Sequence, residues 1–86
     1  DRMRISMKPH ARLRMRDRKI TLPQITKVLE DPVEIVAVRF GRFASYSKIN
    51  DRLLVVIYEK KERSIEVVTV LWADSRRLRR LGFSGI

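Results

Sequence analysis

The sequence predicts a single α+β domain: an N-terminal helical hairpin packed on a four-stranded, mainly antiparallel sheet, followed by a short basic C-terminal helix. Three observations predict it. Residues 9–30 place apolar side chains at helical spacing between helix start and stop signals. Residues 33–72 are β-branched runs separated by turn residues. Residues 73–86 return to a short, arginine-rich helical pattern. With 86 residues the chain has room for one small core and not two.

Residues 1–8 are a basic lead-in, open between a frayed segment and a short strand. Pro9 suits the first turn of a helix, where its missing N–H is not needed. From there a helix is expected to about Lys19. At 100° per residue, Met7, Ala11, Met15 and Leu22 fall together as a thin buried stripe, and Leu13 points away from it. Thr21 and Gln24 form a Thr-x-x-Gln capping box, with Ile20 and Ile25 at the staple positions on either side. Leu22, Ile25, Val28 and Leu29 make the apolar face of this second helix. Asp31-Pro32 ends it, because a residue before proline disfavours helical angles.

The strands expected next are VEIVAVRF (Val33–Phe40), broken by Gly41, and RFASYSKI (Arg42–Ile49), ended by the Asn50-Asp51 turn. RLLVVIYE (Arg52–Glu59) and SIEVVTVLW (Ser64–Trp72) flank the charged turn KKER. The last two are apolar on both alternating sets of positions and read as central strands covered on both faces, whereas the first two, more polar, suit the edges. A helical hairpin covers only one face. The other needs the tail, with Asp74 or Ser75 as cap, Leu78 and Leu81 inward and Gly82 as stop, or a partner protein.

Charge narrows the function. The chain carries 20 basic and 10 acidic residues, a net +10, which resists compaction and calls for a counter-charge. Nucleic acid is the first expectation, ahead of an acidic protein or an anionic membrane. The absence of cysteine excludes disulfides and thiolate metal sites. No apolar run approaches the roughly 18 residues of a membrane span, and no secretory signal stands out, so a cytoplasmic location without a membrane partner is the default expectation.

The charge is densest in HARLRMRDRKI, His10 to Ile20, which holds four arginines, a lysine and the sole histidine. On a helix His10, Arg14 and Arg18 form one i, i+4, i+8 row bordering the buried stripe, where a seam with the sheet would form. Arg12, Arg16 and Lys19 lie on the other flank as a general electrostatic surface. A solvated surface is the plain alternative. Against it, Asp17 is the lone acid between His10 and Leu29, and like charges at i, i+4 weaken a helix by a few tenths of a kcal/mol per pair. Phosphate accounts for the excess, because the guanidinium fork matches its oxygens. His10 has no second histidine, cysteine or acidic cluster at ligand spacing, so no metal is expected, and nothing calls for another cofactor. It suits general acid or base work, or else simply bonds backbone at a helix start. Tyr58, inside an apolar run, reads as packing. Tyr46, in the more polar SYSK, is the better surface candidate. Trp72 either packs or stacks on a base beside Arg76, Arg77, Arg79 and Arg80.

HARLRMRDRKIT resembles the opening of a small uncharacterised domain family whose members begin His-Ala-x-x-Arg-Met-x-x-Arg-Gly-Ile-Ser/Thr. His10, Ala11, Arg14, Met15, Arg18, Ile20 and Thr21 match. The family's glycine is replaced by Lys19, so the helix is expected to end without that cap. VLEDPVEIV and YSKINDRLLVVIYEKKERSIEVVTVLW resemble its helix end and paired strands, extending the likeness over about residues 10–72. That architecture is similar to RelE-type and BrnT-type toxins, ribonucleases held by an antitoxin. The resemblance implies RNA cleavage with the RNA 2′-hydroxyl as nucleophile, His10 as base or acid, and Arg14 and Arg18 on the developing phosphate charge. Tyr46 or Lys48 would fill the other proton role if their strand faces this row. Arg12, Arg16, Lys19, Lys48 and the four tail arginines would bind RNA. The leading expectation is therefore an RNA-directed, toxin-like endoribonuclease. The alternatives are a non-catalytic nucleic-acid-binding module and an interaction domain with an acidic partner. The expected partners are RNA, an acidic antitoxin-like protein, and a second copy of the chain.

Overall fold

Short connections organise most of the sheet. Asn50 adopts the left-handed conformation (φ 56°) that asparagine tolerates, and joins β3 (Arg42–Ile49) to β4 (Arg52–Lys60). Lys61 N–H donates to Ser64 O (2.8 Å) and closes the turn into β5 (Ser64–Ala73). A single 3₁₀ turn, Arg39–Gly41, joins β2 (Glu34–Val38) to β3. The computed structural model describes residues 4–84, and its sheet has five strands, not four. Ahead of the antiparallel set comes β1 (Arg4–Met7), which pairs in parallel with β5, Ile5 opposite Ile65, to give the order β1-β5-β4-β3-β2. Of the two readings open for the lead-in, the described part takes the strand; residues 1–3 lie outside the described residues. The sheet is therefore mixed, and its edges are β1 and β2. β3 is interior, contrary to the expectation from its polar positions. Its buried Ser45 and Ser47 are satisfied: Ser45 Oγ lies 3.0 Å from Tyr58 Oη, and Ser47 Oγ–H donates to Asp31 O (2.8 Å).

The two N-terminal helices do not form a packed hairpin. α1 (Pro9–Arg18) rests mainly on β5, and α2 (Leu22–Glu30) on β3 and β4. α1 continues the path of β1 along the stretch of β5 that β1 no longer pairs. At its start Lys8 N–H donates to Val67 O (3.0 Å), and at its end Trp72 Nε1–H donates to Arg18 O (3.0 Å). Lengths explain the match: ten helical residues rise about 15 Å, and β5 from Val67 to Trp72 advances about 17 Å. Arg18 turns a guanidinium N–H onto Val70 O (2.7 Å), which satisfies a strand carbonyl beyond the end of β1.

Ala11, Ile20, Ile25 and Val28 are buried against Ile49, Leu54, Val56, Tyr58, Val67 and Val70 in the core on the α1/α2 side. Leu22, expected in the buried stripe, is 49% exposed, because it begins α2 rather than continuing α1. The second face is covered by the chain itself. α3 (Ser75–Leu81) and the residue after its glycine stop bury Leu78 and Phe83 against Ala44, Tyr46, Val55 and Leu71. Asp74 caps it through Arg77 N–H (2.8 Å), and Ser84 N–H donates to the Glu34 carboxylate (3.0 and 3.1 Å), tying the tail to β2. The motive for placing a partner on this face is thereby removed.

The capping box of α2 forms as expected, with Gln24 N–H to Thr21 Oγ1 (3.4 Å) and Thr21 N–H to Gln24 Oε1 (3.0 Å). The expected missing cap on α1 is corrected. Lys19 itself takes the left-handed position (φ 55°, ψ 46°), donating to Arg16 O while Ile20 N–H donates to Met15 O (2.8 Å). A side chain there costs about 1–2 kcal/mol. Lys19→Gly is therefore expected to raise stability by about 1 kcal/mol, after glycine's own entropic cost, read as a higher urea midpoint at unchanged m value.

Candidate nucleic-acid interface

The basic row of α1 divides on folding. His10 is exposed and Arg14 half-buried, and Arg14 Nε–H donates to His10 Nε2 at 3.3 Å. Nε2 is the acceptor in this contact. Arg18 is committed in part to the fold through Val70 O, and its backbone carbonyl holds Trp72. It positions α1 and so fixes where His10 and Arg14 stand.

On the opposite flank, Arg12 and Arg16 rim a groove of about 520 Å³ whose walls include Ile5, Met7, Met15 and Leu22. This groove beside α1 thus lies with the residues expected to be general surface. Lys19 is exposed in the helix cap.

Tyr46 does not join His10. It is 2% exposed in the core on the α3 side, edge-on to Phe83 with ring centroids 4.7 Å apart. Alternation along β3 sends Lys48 to that same side, where it is exposed. Neither residue can supply a proton at His10, and Tyr46 is not a surface group. Trp72 is also unavailable for stacking on one of its faces, where the Arg52 guanidinium lies 3.9 Å from the ring centroid. Arg76, Arg77, Arg79 and Arg80 are exposed on α3, while Leu78 and Leu81 turn inward. Two basic helices therefore lie on different sides of the sheet.

The acids do not neutralise these helices. Glu59 takes Arg42 (3.0 Å), Lys61 (3.4 Å) and Lys8 (4.0 Å), and Glu66 takes Lys8 (3.5 Å), in a charged row on the part of the sheet toward the β4–β5 turn. The Arg42 guanidinium holds the Glu59 carboxyl below its ordinary range, partial desolvation opposes this, and Lys61 and Lys8 reinforce Arg42. Among the described residues, no arginine of α1 or α3 makes an ion pair.

One exposed group escaped the sequence reading. Phe40, in the 3₁₀ turn, is 82% exposed and left-handed (φ 64°, ψ 32°), a backbone cost of about 1–2 kcal/mol for a residue with a side chain. The available signal was the pattern Arg39-Phe40-Gly41-Arg42, an aromatic between arginines at a strand break.

No described helix is long and apolar enough to cross a membrane. No curated protein and no solved structure matches the chain. A family model does: Domain of unknown function (DUF4258) matches residues 7–72, taking in β1's last residue, both N-terminal helices and the sheet through Trp72. Most of the chain lies in that match, and α3 with its arginines lies beyond it, so the protein belongs to the DUF4258 family of small domains of unknown function.

Proposed function

We propose that this domain is an RNA-directed, toxin-like endoribonuclease that works without a metal. The observation that carries the reading is the His10–Arg14 pair, 3.3 Å apart on the accessible side of a helix whose arginines have no acidic partners among the described residues. The chemistry suits such a pair. His10 Nε2 takes the proton of an RNA 2′-hydroxyl, the 2′-oxygen forms a bond to the adjacent phosphorus, and the bond to the 5′-oxygen breaks as that oxygen takes a proton from solvent water, the protonated His10 then returning its own proton to solvent. Arg14 holds the phosphoryl oxygens through the step, and Arg18 keeps the helix on β5. When a phosphate engages Arg14, the guanidinium leaves Nε2 and its lone pair becomes free for the substrate. Arg12, Arg16, Lys19 and the arginines of α3 supply affinity, and an acidic antitoxin-like protein would compete for the same surface.

The test is product chemistry. Single-stranded RNA incubated with the protein and a chelator, with and without ribosomes, is expected to yield 2′,3′-cyclic phosphate and 5′-hydroxyl ends, and a 2′-deoxy linkage at the cut site is expected to resist. A second reading is favoured by one observation: the burial of Tyr46 on the other side of the sheet leaves His10 without the second proton-transfer group sought for it. That reading is a non-catalytic RNA-binding module. RNA that is bound and never cut in either condition would establish it in place of the enzyme.

A further inference from the structure

Among the described residues Phe40 is the most exposed of the large hydrophobics, and the fold gives it no packing role. Its turn needs a left-handed residue, which glycine supplies without strain, as the neighbouring Gly41 (φ 68°) illustrates. A phenylalanine here is thus unfavourable for backbone and solvent alike, and the fold does not account for it.

Its surroundings point to a ligand. A depression of about 440 Å³ lies beside the ring, with Ala37, Val38, Ile57 and Leu81 among its walls and Arg39, Arg42 and Arg80 around it, and no acid lines it. Arg42 is held by Glu59 through Nε (3.0 Å), which leaves its guanidinium carbon 5.8 Å from the Phe40 centroid. Arg39 and Arg80 make no ion pair with a described residue. An exposed aromatic ring beside two guanidinium groups without ion pairs, Arg39 and Arg80, has the chemistry that holds a single-stranded nucleotide, base on ring and phosphates on the cations.

We infer that Phe40 is a base-stacking platform for single-stranded RNA, with Arg39 and Arg80 taking the flanking phosphates. The inference rests on the RNA-directed part of the proposed function and does not require cleavage. It gives the arginines of α3 a reason to lie on this side of the sheet, because Arg80 belongs to both.

The test measures binding of fluorescein-labelled single-stranded RNA by anisotropy for the parent, Phe40→Ala and Phe40→Trp, with thermal melts beside them. Loss of one stacked base is expected to weaken Phe40→Ala by about 5- to 150-fold. The slope of log Kd on log salt should be unchanged, because stacking releases no counterions. Phe40→Trp is expected to bind at least as tightly as the parent. Neither variant should melt earlier, since the ring supports no core. Unchanged affinity of Phe40→Ala in a parent that binds RNA overturns the platform and leaves the RNA reading intact. A parent that binds no RNA overturns both. Phe40→Ala that dissociates a dimer in sedimentation, with RNA affinity unchanged, overturns the platform in favour of a contact between copies.

Discussion

His10→Ala is expected to slow RNA cleavage by about 10²–10⁴-fold while leaving RNA affinity nearly unchanged, the range typical for loss of a positioned acid or base. The separation of rate from affinity follows from the site. His10 is exposed and its side-chain contact is a single hydrogen bond from Arg14, so its removal leaves the core and the neighbouring guanidinium in place. The melting temperature should therefore hold. Arg14→Ala is expected to reduce both rate and affinity, because the guanidinium meets the phosphate before the transition state as well as in it. Arg12→Ala, on the groove flank of α1, should lower affinity and spare the rate per bound RNA. Single-turnover cleavage at saturating protein separates these effects. His10→Ala that cuts as fast as the parent ends the assignment of His10 as the base.

Local chemistry made much of this fold legible in the sequence. The Thr21–Gln24 capping box, the Asp31-Pro32 stop, the Asn50-Asp51 turn and the Asp74…Gly82 frame of α3 each depend on residues within a few positions of one another, and all form. The doubly apolar β4 and β5 are interior strands for the reason expected, since the two cores meet them from opposite faces. β1 was harder to see, because four residues with one alternation of apolar and polar positions cannot announce a partner that arrives only at Ser64. Its pairing is a long-range contact, and α1 then extends that contact along the same edge of β5.

The candidate site was legible as a helix face and not as a constellation. The row His10-Arg14-Arg18 follows from helical spacing alone, yet nothing local shows that Arg18 would spend a donor on Val70 O. Tyr46 failed for a related reason. In RFASYSKI the polar serines share a set of alternating positions with Phe43 and Ile49, and they are buried because Tyr58 and Asp31 O satisfy them. Composition therefore suggested that the tyrosine was the exposed member, when its face is the one that α3 and Phe83 close. The ring that is exposed, Phe40, sits where a strand-like pattern concealed a left-handed turn.

Affinity for single-stranded RNA is expected to fall steeply with salt, and by an amount that grows with RNA length. Each phosphate neutralised on a single strand contributes about −0.7 to the slope of log K on log salt. Arg12, Arg14, Arg16 and Lys19 offer four cations on or beside α1, and Arg76, Arg77, Arg79 and Arg80 offer four on α3. The chain extends over 31 × 25 × 23 Å, so a short oligonucleotide seated on α1 has no reach to spare for α3, whereas a longer strand can pass from one side of the sheet to the other. A hexamer seated on the first set should give a slope of about −3, and a strand of about 20 nucleotides touching both sets should approach about −6. Between 50 and 200 mM salt these slopes correspond to losses of roughly 60-fold and roughly 4,000-fold. Arg16→Gln should reduce either slope by about 0.7, equally for all sequences, without abolishing cleavage. Equal slopes for the short and long strands would mean that only one basic helix meets the RNA, and a flat line for both would remove nucleic acid as the counter-charge for the chain's net +10.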